Sequence, residues 1–166
     1  MSIAQSFLTE LEQESPMTRK SLERVPQGRL DFKPHEKSMT MGDLAVHIAE
    51  SIGWGVVVLE QDVFDLDPES YAPPKLKDPK EIVALFDKHE AALKQALAGR
   101  KDEHMLATWK MTMKGETVME MPRASVFRSM ILNHTVHHRA QLGVYLRLNN
   151  VPVPAVYGPS ADESPM

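Results

Sequence analysis

The sequence predicts an all-α fold in which four helices form a bundle. Four segments of the 166-residue chain repeat apolar residues at intervals of three and four, as the buried face of a helix requires. Three of these segments begin at a residue that can cap a helix. One or two longer connections join the segments, as in many helical bundles. The length is typical of one domain, so residues 1–166 are expected to form a single bundle.

The first predicted helix begins after Ser2, which can act as its N-cap, with Gln5 at the matching capping-box position. Apolar residues at helical spacing follow between Phe7 and Leu11. A proline inside a helix removes a hydrogen bond and clashes with the preceding turn, at a cost of about 3 kcal/mol. We therefore expect this helix to be kinked or split near Pro16.

The second predicted helix has the clearest start, because Thr40 can cap it and Asp43 follows three residues later. One face of the helix then follows the spacing of three and four residues. Its positions are Leu44, His47, Ile48, Ser51, Ile52 and Gly55. A histidine therefore lies within the face that is expected to be buried.

The two remaining helices are predicted on either side of a less regular region. Asp78-Pro79-Lys80-Glu81 combines a cap, a proline at the first helical position and an acidic third residue, and Gly99 can end this helix. Residues 101–121 alternate apolar and polar side chains in places, which indicates a short hairpin or an irregular excursion. A long final helix is expected from about 122–125 to about 149, before Val151-Pro152.

Composition excludes several classes of protein. The 19 basic and 23 acidic residues give a net charge of −4, which argues against general binding to nucleic acid or to an anionic membrane. The absence of cysteine excludes disulfides, thiolate metal sites and cysteine nucleophiles. We find no apolar segment of the ~18–20 residues that a membrane span needs, and no signal peptide. A cytoplasmic location is therefore expected.

A histidine cluster in the final helix is the strongest chemical signal in the chain. His134 and His138 are four residues apart and therefore share a helix face, while His137 is a rival partner at a spacing of three. Together with His47, the chain places histidines on the buried faces of two helices. Three unpaired buried imidazoles would be destabilising, and one metal ion would satisfy all three. The alternative is a plain bundle with core histidines.

The sequence resembles the DinB/YfiT-like family of four-helix-bundle metalloproteins over nearly its whole length. The blocks that carry the resemblance are residues 39–50, 133–142, 145–147, 151–152 and 157–163. The resemblance implies an up-down-down-up bundle that is commonly a homodimer. It also implies one divalent ion (nickel, zinc or iron) bound by His47, His134 and His138, with His137 not a ligand.

Three histidine ligands leave at least one metal position open, as catalytic sites require. The resemblance implies a metal-dependent hydrolase or a thiol-dependent S-transferase acting on a small molecule, with a low-molecular-weight thiol as a candidate partner. The alternative is a non-enzymatic metal-binding or stress-response protein whose ion is structural or sensory. The sequence assigns no catalytic residue; Glu50, Gln141 and Tyr145 are the nearest acid–base candidates by helical position.

Overall fold

The computed structural model describes residues 1–164, and its fold is mostly helical with a small three-stranded sheet. The long helices are α1 (Ile3–Glu23), α2 (Met41–Glu60), α3 (Pro79–Leu97) and α6 (His134–Leu148). The short elements are a 3-10 turn (Gln27–Arg29), β1 (Val63–Asp65), α4 (Asp102–Leu106), β2 (Thr108–Met113), β3 (Glu116–Pro122), α5 (Arg123–Val126) and a π-helical segment (Phe127–Asn133). The helical part of the predicted fold class is therefore confirmed, and the all-α assignment is wrong.

The helix starts predicted from capping residues are confirmed. The Ser2 side chain accepts a hydrogen bond from the backbone N–H of Gln5, and the Thr40 side chain accepts one from that of Asp43. Asp78 and Glu81 form a complete capping box at the start of α3. Each cap satisfies backbone donors that the first helical turn leaves without partners.

Contrary to the expectation of a split helix, α1 continues through Pro16 without interruption. Pro16 is exposed, as is Glu12, whose carbonyl loses its usual hydrogen bond because proline has no N–H. Solvent can satisfy that carbonyl. Leu11 and Leu22 are each 1% exposed, so packing anchors the helix on both sides of the proline.

The four long helices pack around a common core, with α1 and α2 each in contact with α3 and α6. α2 and α3 approach closely at Gly55, where an added Cβ would lie 2.7 Å from Leu93 Cδ1. Contrary to the expectation that the chain has no apolar segment long enough for a membrane span, α2 meets that criterion by length and composition, with a mean hydropathy of 1.3, and it is the one such helix within residues 1–164. Since 61% of that window is buried inside the protein, its composition is that of a core helix. The up-down-down-up order remains a prediction.

Two of the three strands, β2 and β3, lie in the region where the sequence indicated a short hairpin or an irregular excursion. β2 and β3 are antiparallel, and β1 adds to β2 in parallel. Lys114 and Gly115 form the hairpin connection with φ values of 52° and 82°. Two consecutive positive φ values are the mark of a type I′ turn, which matches the natural twist of paired strands. The hairpin is therefore confirmed, while β1, with only three residues, gave no signal in the sequence.

The final helix begins close to its predicted start, but seven of its residues form a π-helical segment that ends at Asn133. A π turn contains more residues than an α turn, so the side chains beyond it are rotated relative to an uninterrupted α-helix. The segment directly precedes His134. The orientation of the histidines therefore depends on this local change of helix type as well as on their spacing.

Arg123 joins the sheet, α2 and the final helix. Its side chain is 2% exposed, and it donates hydrogen bonds to the carbonyls of Val58 (3.0 Å) and Gln61 (3.1 Å). The same guanidinium also pairs with Asp62. Because these carbonyls lie at the end of α2 and just beyond it, one side chain satisfies acceptors that the helix end leaves free.

Replacing Arg123 with alanine is expected to lower the free energy of unfolding by about 1.5–3 kcal/mol, because the buried carbonyl of Val58 loses a charged hydrogen-bond donor. Urea unfolding followed by circular dichroism measures this change. Arg147→Ala is the control, since it removes an ion pair with Asp162 from a side chain that is 49% exposed. That change is expected to cost no more than about 1 kcal/mol. Equal destabilisation by the two substitutions would contradict the role assigned to Arg123.

Candidate metal centre

Three histidines from two helices converge on one point. His47 lies in the second turn of α2, and His134 and His138 lie one turn apart at the start of α6. One ligand nitrogen from each ring lies within 4.8 Å of the other two, and the arrangement could hold a metal ion. The Nε2 atoms of His47 and His134 are 2.9 Å apart. All three side chains are half-buried.

Two hydrogen bonds from side-chain hydroxyls to backbone carbonyls stabilise the helices that carry these histidines. The Thr135 hydroxyl donates to the carbonyl of Ile131 (2.7 Å), which bridges the junction between the π-helical segment and α6. In α2, the Ser51 hydroxyl donates to the carbonyl of His47 (2.7 Å). Thr135 and Ser51 are both buried, so solvent does not compete for these hydrogen bonds.

The structure groups His138, and not His137, with His134 and His47. His137 is exposed on α6, with its ring centroid 4.8 Å from that of His138. Spacing alone had left this choice open, because residues three and four apart are both neighbours on a helix. The packing of α6 against α2 settles which of the two rings points toward His47.

Burial keeps the three imidazoles neutral. Desolvation, and after it the neighbouring rings of His138, His47 and His137, together lower the pKa of His134 to about 4. The pKa of His47 is lowered by burial and by His138. Burial also lowers the pKa of His138, although its hydrogen bond to Gln141 acts in the opposite direction. At neutral pH the rings therefore offer lone pairs, the form in which histidine binds metals.

Gln141 sets the orientation of His138. The Nδ1–H of His138 donates to the side-chain oxygen of Gln141 over 2.7 Å. A neutral imidazole that donates through Nδ1 carries its lone pair on Nε2. Metal-binding histidines are commonly oriented by such a partner on the second ring nitrogen.

The donor set fits a divalent transition metal. Two nitrogens bound to a tetrahedral ion at ~2.0–2.1 Å are about 3.3 Å apart, close to the 2.9 Å between His47 Nε2 and His134 Nε2. When the three rings are neutral, a single hydrogen can lie between Nε2 of His47 and Nε2 of His134, and that hydrogen cannot also bond to His138. A shared cation satisfies all three rings at once. Imidazole ligands suit zinc, copper, iron and nickel alike.

A cavity of about 360 Å³ lies beside the centre, with His47 and His134 in its wall. Trp54 of α2 forms another part of the wall, and Leu66, Pro68 and Tyr71 approach from the segment after β1. The remaining wall residues are Ser51, Val58, Trp109, Met111, Met119, Val126, Met130 and Ile131. Sequence reasoning did not identify this cavity. Two signals in the sequence bear on it. Trp54 stands between Gly53 and Gly55, and the alternation of Trp109 and Met111 places both of these on one face of β2.

The three acid–base candidates suggested by helical position make other contacts. Gln141 orients His138, as described above. Glu50 accepts a hydrogen bond from the Tyr71 hydroxyl (2.7 Å), and burial with this bond raises the pKa of Tyr71 to about 12. Tyr145 donates to the carbonyl of Met39 over 3.1 Å. Within residues 1–164 the metal-binding group consists of three histidines and includes no carboxylate.

Comparison with known proteins gives consistent results. A Bacillus subtilis protein, the uncharacterised YrdA, is 28% identical over 158 residues that cover 95% of this chain and 89% of YrdA. The crystal structure of a DinB-like protein from Bacillus cereus matches with a TM-score of 0.68 and 25% identity, over 92% of this chain and 97% of that one. The DinB-like protein YjoA of Bacillus subtilis matches with a TM-score of 0.70 and 16% identity, over 91% and 97% of the two chains, and supports the fold alone. The DinB family model matches residues 1–165, and the protein therefore belongs to the DinB family.

Proposed function

We propose that this protein binds one divalent metal ion through His47, His134 and His138 and is a metal-dependent enzyme for a small-molecule substrate. The observation that carries the proposal is the convergence of three neutral imidazoles at the wall of a cavity. Catalytic metal sites combine three protein ligands with an open position, whereas structural sites are closed by four. A bound divalent ion supplies Lewis acidity, which lowers the pKa of a coordinated water or thiol.

Between the two reaction classes that fit such a centre, the cavity favours thiol-dependent S-transfer over hydrolysis. Hydrolysis requires a group that takes a proton from water and one that gives a proton to the leaving group. No carboxylate or lysine is among the described residues that line the cavity. The Tyr71 hydroxyl in the wall already donates to Glu50, and its pKa of about 12 makes it a poor proton donor at neutral pH. A thiol loses its proton far more readily than water, with a pKa of about 8.5, and needs less help from the protein. A low-molecular-weight thiol is therefore the proposed co-substrate.

In this proposal the chain has three tasks. His47, His134 and His138 hold the ion in a neutral ligand set, and Gln141 keeps the lone pair of His138 pointed toward it. The apolar wall of the cavity excludes water from the reacting groups, which strengthens electrostatic interactions there.

The homodimer and the cytoplasmic location implied by the family resemblance remain predictions.

Metal content tests the first part of the proposal. Protein purified without an affinity tag and loaded with nickel, zinc or iron is expected to hold about one ion per chain by inductively coupled plasma mass spectrometry. Alanine at His47, His134 or His138 is expected to abolish stoichiometric binding, because two imidazoles hold an ion weakly. Chelation is expected to lower the melting temperature of the wild type, since a bound ion stabilises the folded state.

His137→Ala is the matched control, because His137 neighbours the centre without joining it. This variant is expected to keep its full metal content. Full metal content in all three ligand variants would exclude the site. A stoichiometric ion without activity toward thiols plus electrophiles, or toward esters and amides, would favour the non-enzymatic alternative with a structural or sensory ion.

The role of Gln141 is tested by two substitutions. Gln141→Ala removes the acceptor on Nδ1–H of His138 and is expected to weaken metal affinity by about 10–100-fold, as outer-shell substitutions commonly do. Gln141→Glu keeps an acceptor oxygen and is expected to retain most of the affinity. Competition with a chromophoric chelator measures both constants. Equal affinities for Gln141→Ala and the wild type would remove Gln141 from the centre.

The stability of the metal-free protein is expected to fall as the pH is lowered from about 6.5 to about 4. In this window the unfolded chain protonates its histidines, while the folded chain resists protonation because the pKa of His134 is about 4 and those of His47 and His138 are also lowered. The unfolded state therefore gains protons first, and folding is disfavoured. His134→Gln is expected to flatten this dependence in urea unfolding between pH 7 and pH 5. An identical slope in the variant would contradict the burial of a neutral His134.

A further inference from the structure

The cavity beside the histidines is almost entirely apolar, although it adjoins a centre suited to polar chemistry. Its walls include two tryptophans, Trp54 and Trp109, and the methionines Met111 and Met119 on the inner face of the hairpin. The same face carries the second apolar cluster of the protein, in which Val58, Trp109 and Val126 are buried. A polar thiol cofactor would gain little from such walls, because burying a polar group without partners is unfavourable.

The size of the cavity points to a ring-bearing ligand. A cavity of about 150 Å³ is enough to bind benzene. At about 360 Å³, this cavity can accept a molecule of one or two rings. Methionine adapts its shape and makes favourable contacts with aromatic rings through sulfur, and tryptophan offers large flat surfaces.

One polar atom in this wall lacks a partner. The indole N–H of Trp109 is buried and makes no hydrogen bond to the described part of the chain, and Trp109 is only 3% exposed. A buried donor without an acceptor destabilises the free protein. A ligand that carries a hydrogen-bond acceptor on an apolar body would compensate for this deficit.

We propose that the apolar cavity is the acceptor subsite of the centre and takes an uncharged, ring-bearing electrophile onto which the thiol is transferred. This inference rests on the S-transferase function proposed above. In the reaction the thiol gives its proton to solvent and its sulfur forms a bond to a carbon of the electrophile. The bond from that carbon to the leaving group breaks, and the leaving group departs with the bonding electron pair. No external oxidant or reductant is needed.

The hairpin supplies a matched pair of positions for testing the subsite. Met119 lines the cavity, whereas the adjacent Val118 is 46% exposed and points to the other face of β3. A lysine at either position adds the same charge to the same strand. Only at position 119 does it reduce the space and apolar character of the cavity.

Binding to the metal-free protein gives a readout that does not depend on activity. The chain has two tryptophans, and both line the cavity, so their fluorescence reports directly on its occupant. Nitrobenzene, an aromatic quencher with acceptor oxygens, is expected to quench this fluorescence saturably. Its charged analogue 4-nitrobenzoate is expected to bind at least tenfold more weakly. Non-saturable quenching, or equal affinity for both probes, would overturn the proposal without the use of any variant.

The variants then locate the binding. Met119→Lys is expected to raise the dissociation constant of nitrobenzene at least tenfold, and Val118→Lys to change it less than twofold. Met119→Gln, which adds no charge, covers the case in which the lysine variant does not fold, and is expected to weaken binding at least threefold. Unchanged binding in a folded Met119 variant would place the probe elsewhere and overturn the subsite.

Activity of the metal-loaded protein separates this inference from the function on which it rests. With 2-mercaptoethanol as the thiol, 1-chloro-2,4-dinitrobenzene is expected to be preferred at least tenfold in kcat/KM over its charged analogue 4-chloro-3,5-dinitrobenzoate. Met119→Lys is expected to raise the KM for the uncharged substrate. Transfer without this preference would overturn the subsite alone. Selective nitrobenzene binding in a protein that holds no metal would overturn the S-transferase and leave an apolar binding site.

Discussion

The packing of α2 against α6 is the contact on which the candidate centre depends. It buries the apolar face of α2, where Leu44 is 1% exposed and Ile48 is not exposed at all, against a helix whose Leu142 is fully buried. His47 lies on α2 between these residues and is carried to the same interface. The burial of these apolar side chains therefore also brings the three imidazoles together. Interactions between the rings alone would not hold them in this arrangement.

This arrangement has an energetic consequence for the metal-free protein. Half-buried imidazoles lose hydration, and their mutual proximity disfavours protonation, so the pKa of each ring in the group is lowered. The same features that make the centre unfavourable for protons make it available to a metal ion, because both compete for the same lone pairs. The rest of the core provides the stability that keeps the rings in place.

The helices and the histidine pair could be predicted from the sequence because both follow from local rules. Capping residues determined the starts of α1, α2 and α3, and a spacing of four placed His134 and His138 on one face. The continuity of α1 through Pro16 could not be predicted, since it depends on packing on both sides of the proline. The pairing of β1 with β2 joins residues more than forty positions apart, such as Val63 and Lys110, and leaves no local pattern. The cavity is missed for the same reason.

The hairpin extends the helical fold in a way that bears on chemistry. The helices alone bring together the three histidines, but a ring of imidazoles at a helix interface would face solvent on its open side. β2 and β3 place Trp109, Met111 and Met119 around the space next to His47 and His134, and Arg123 fixes the end of the hairpin to α2. Enclosure by apolar side chains lowers the local dielectric, which increases the effect of any charge held at the centre. The sheet that departs from the all-α prediction is thus the part of the fold that gives the candidate centre its apolar cavity.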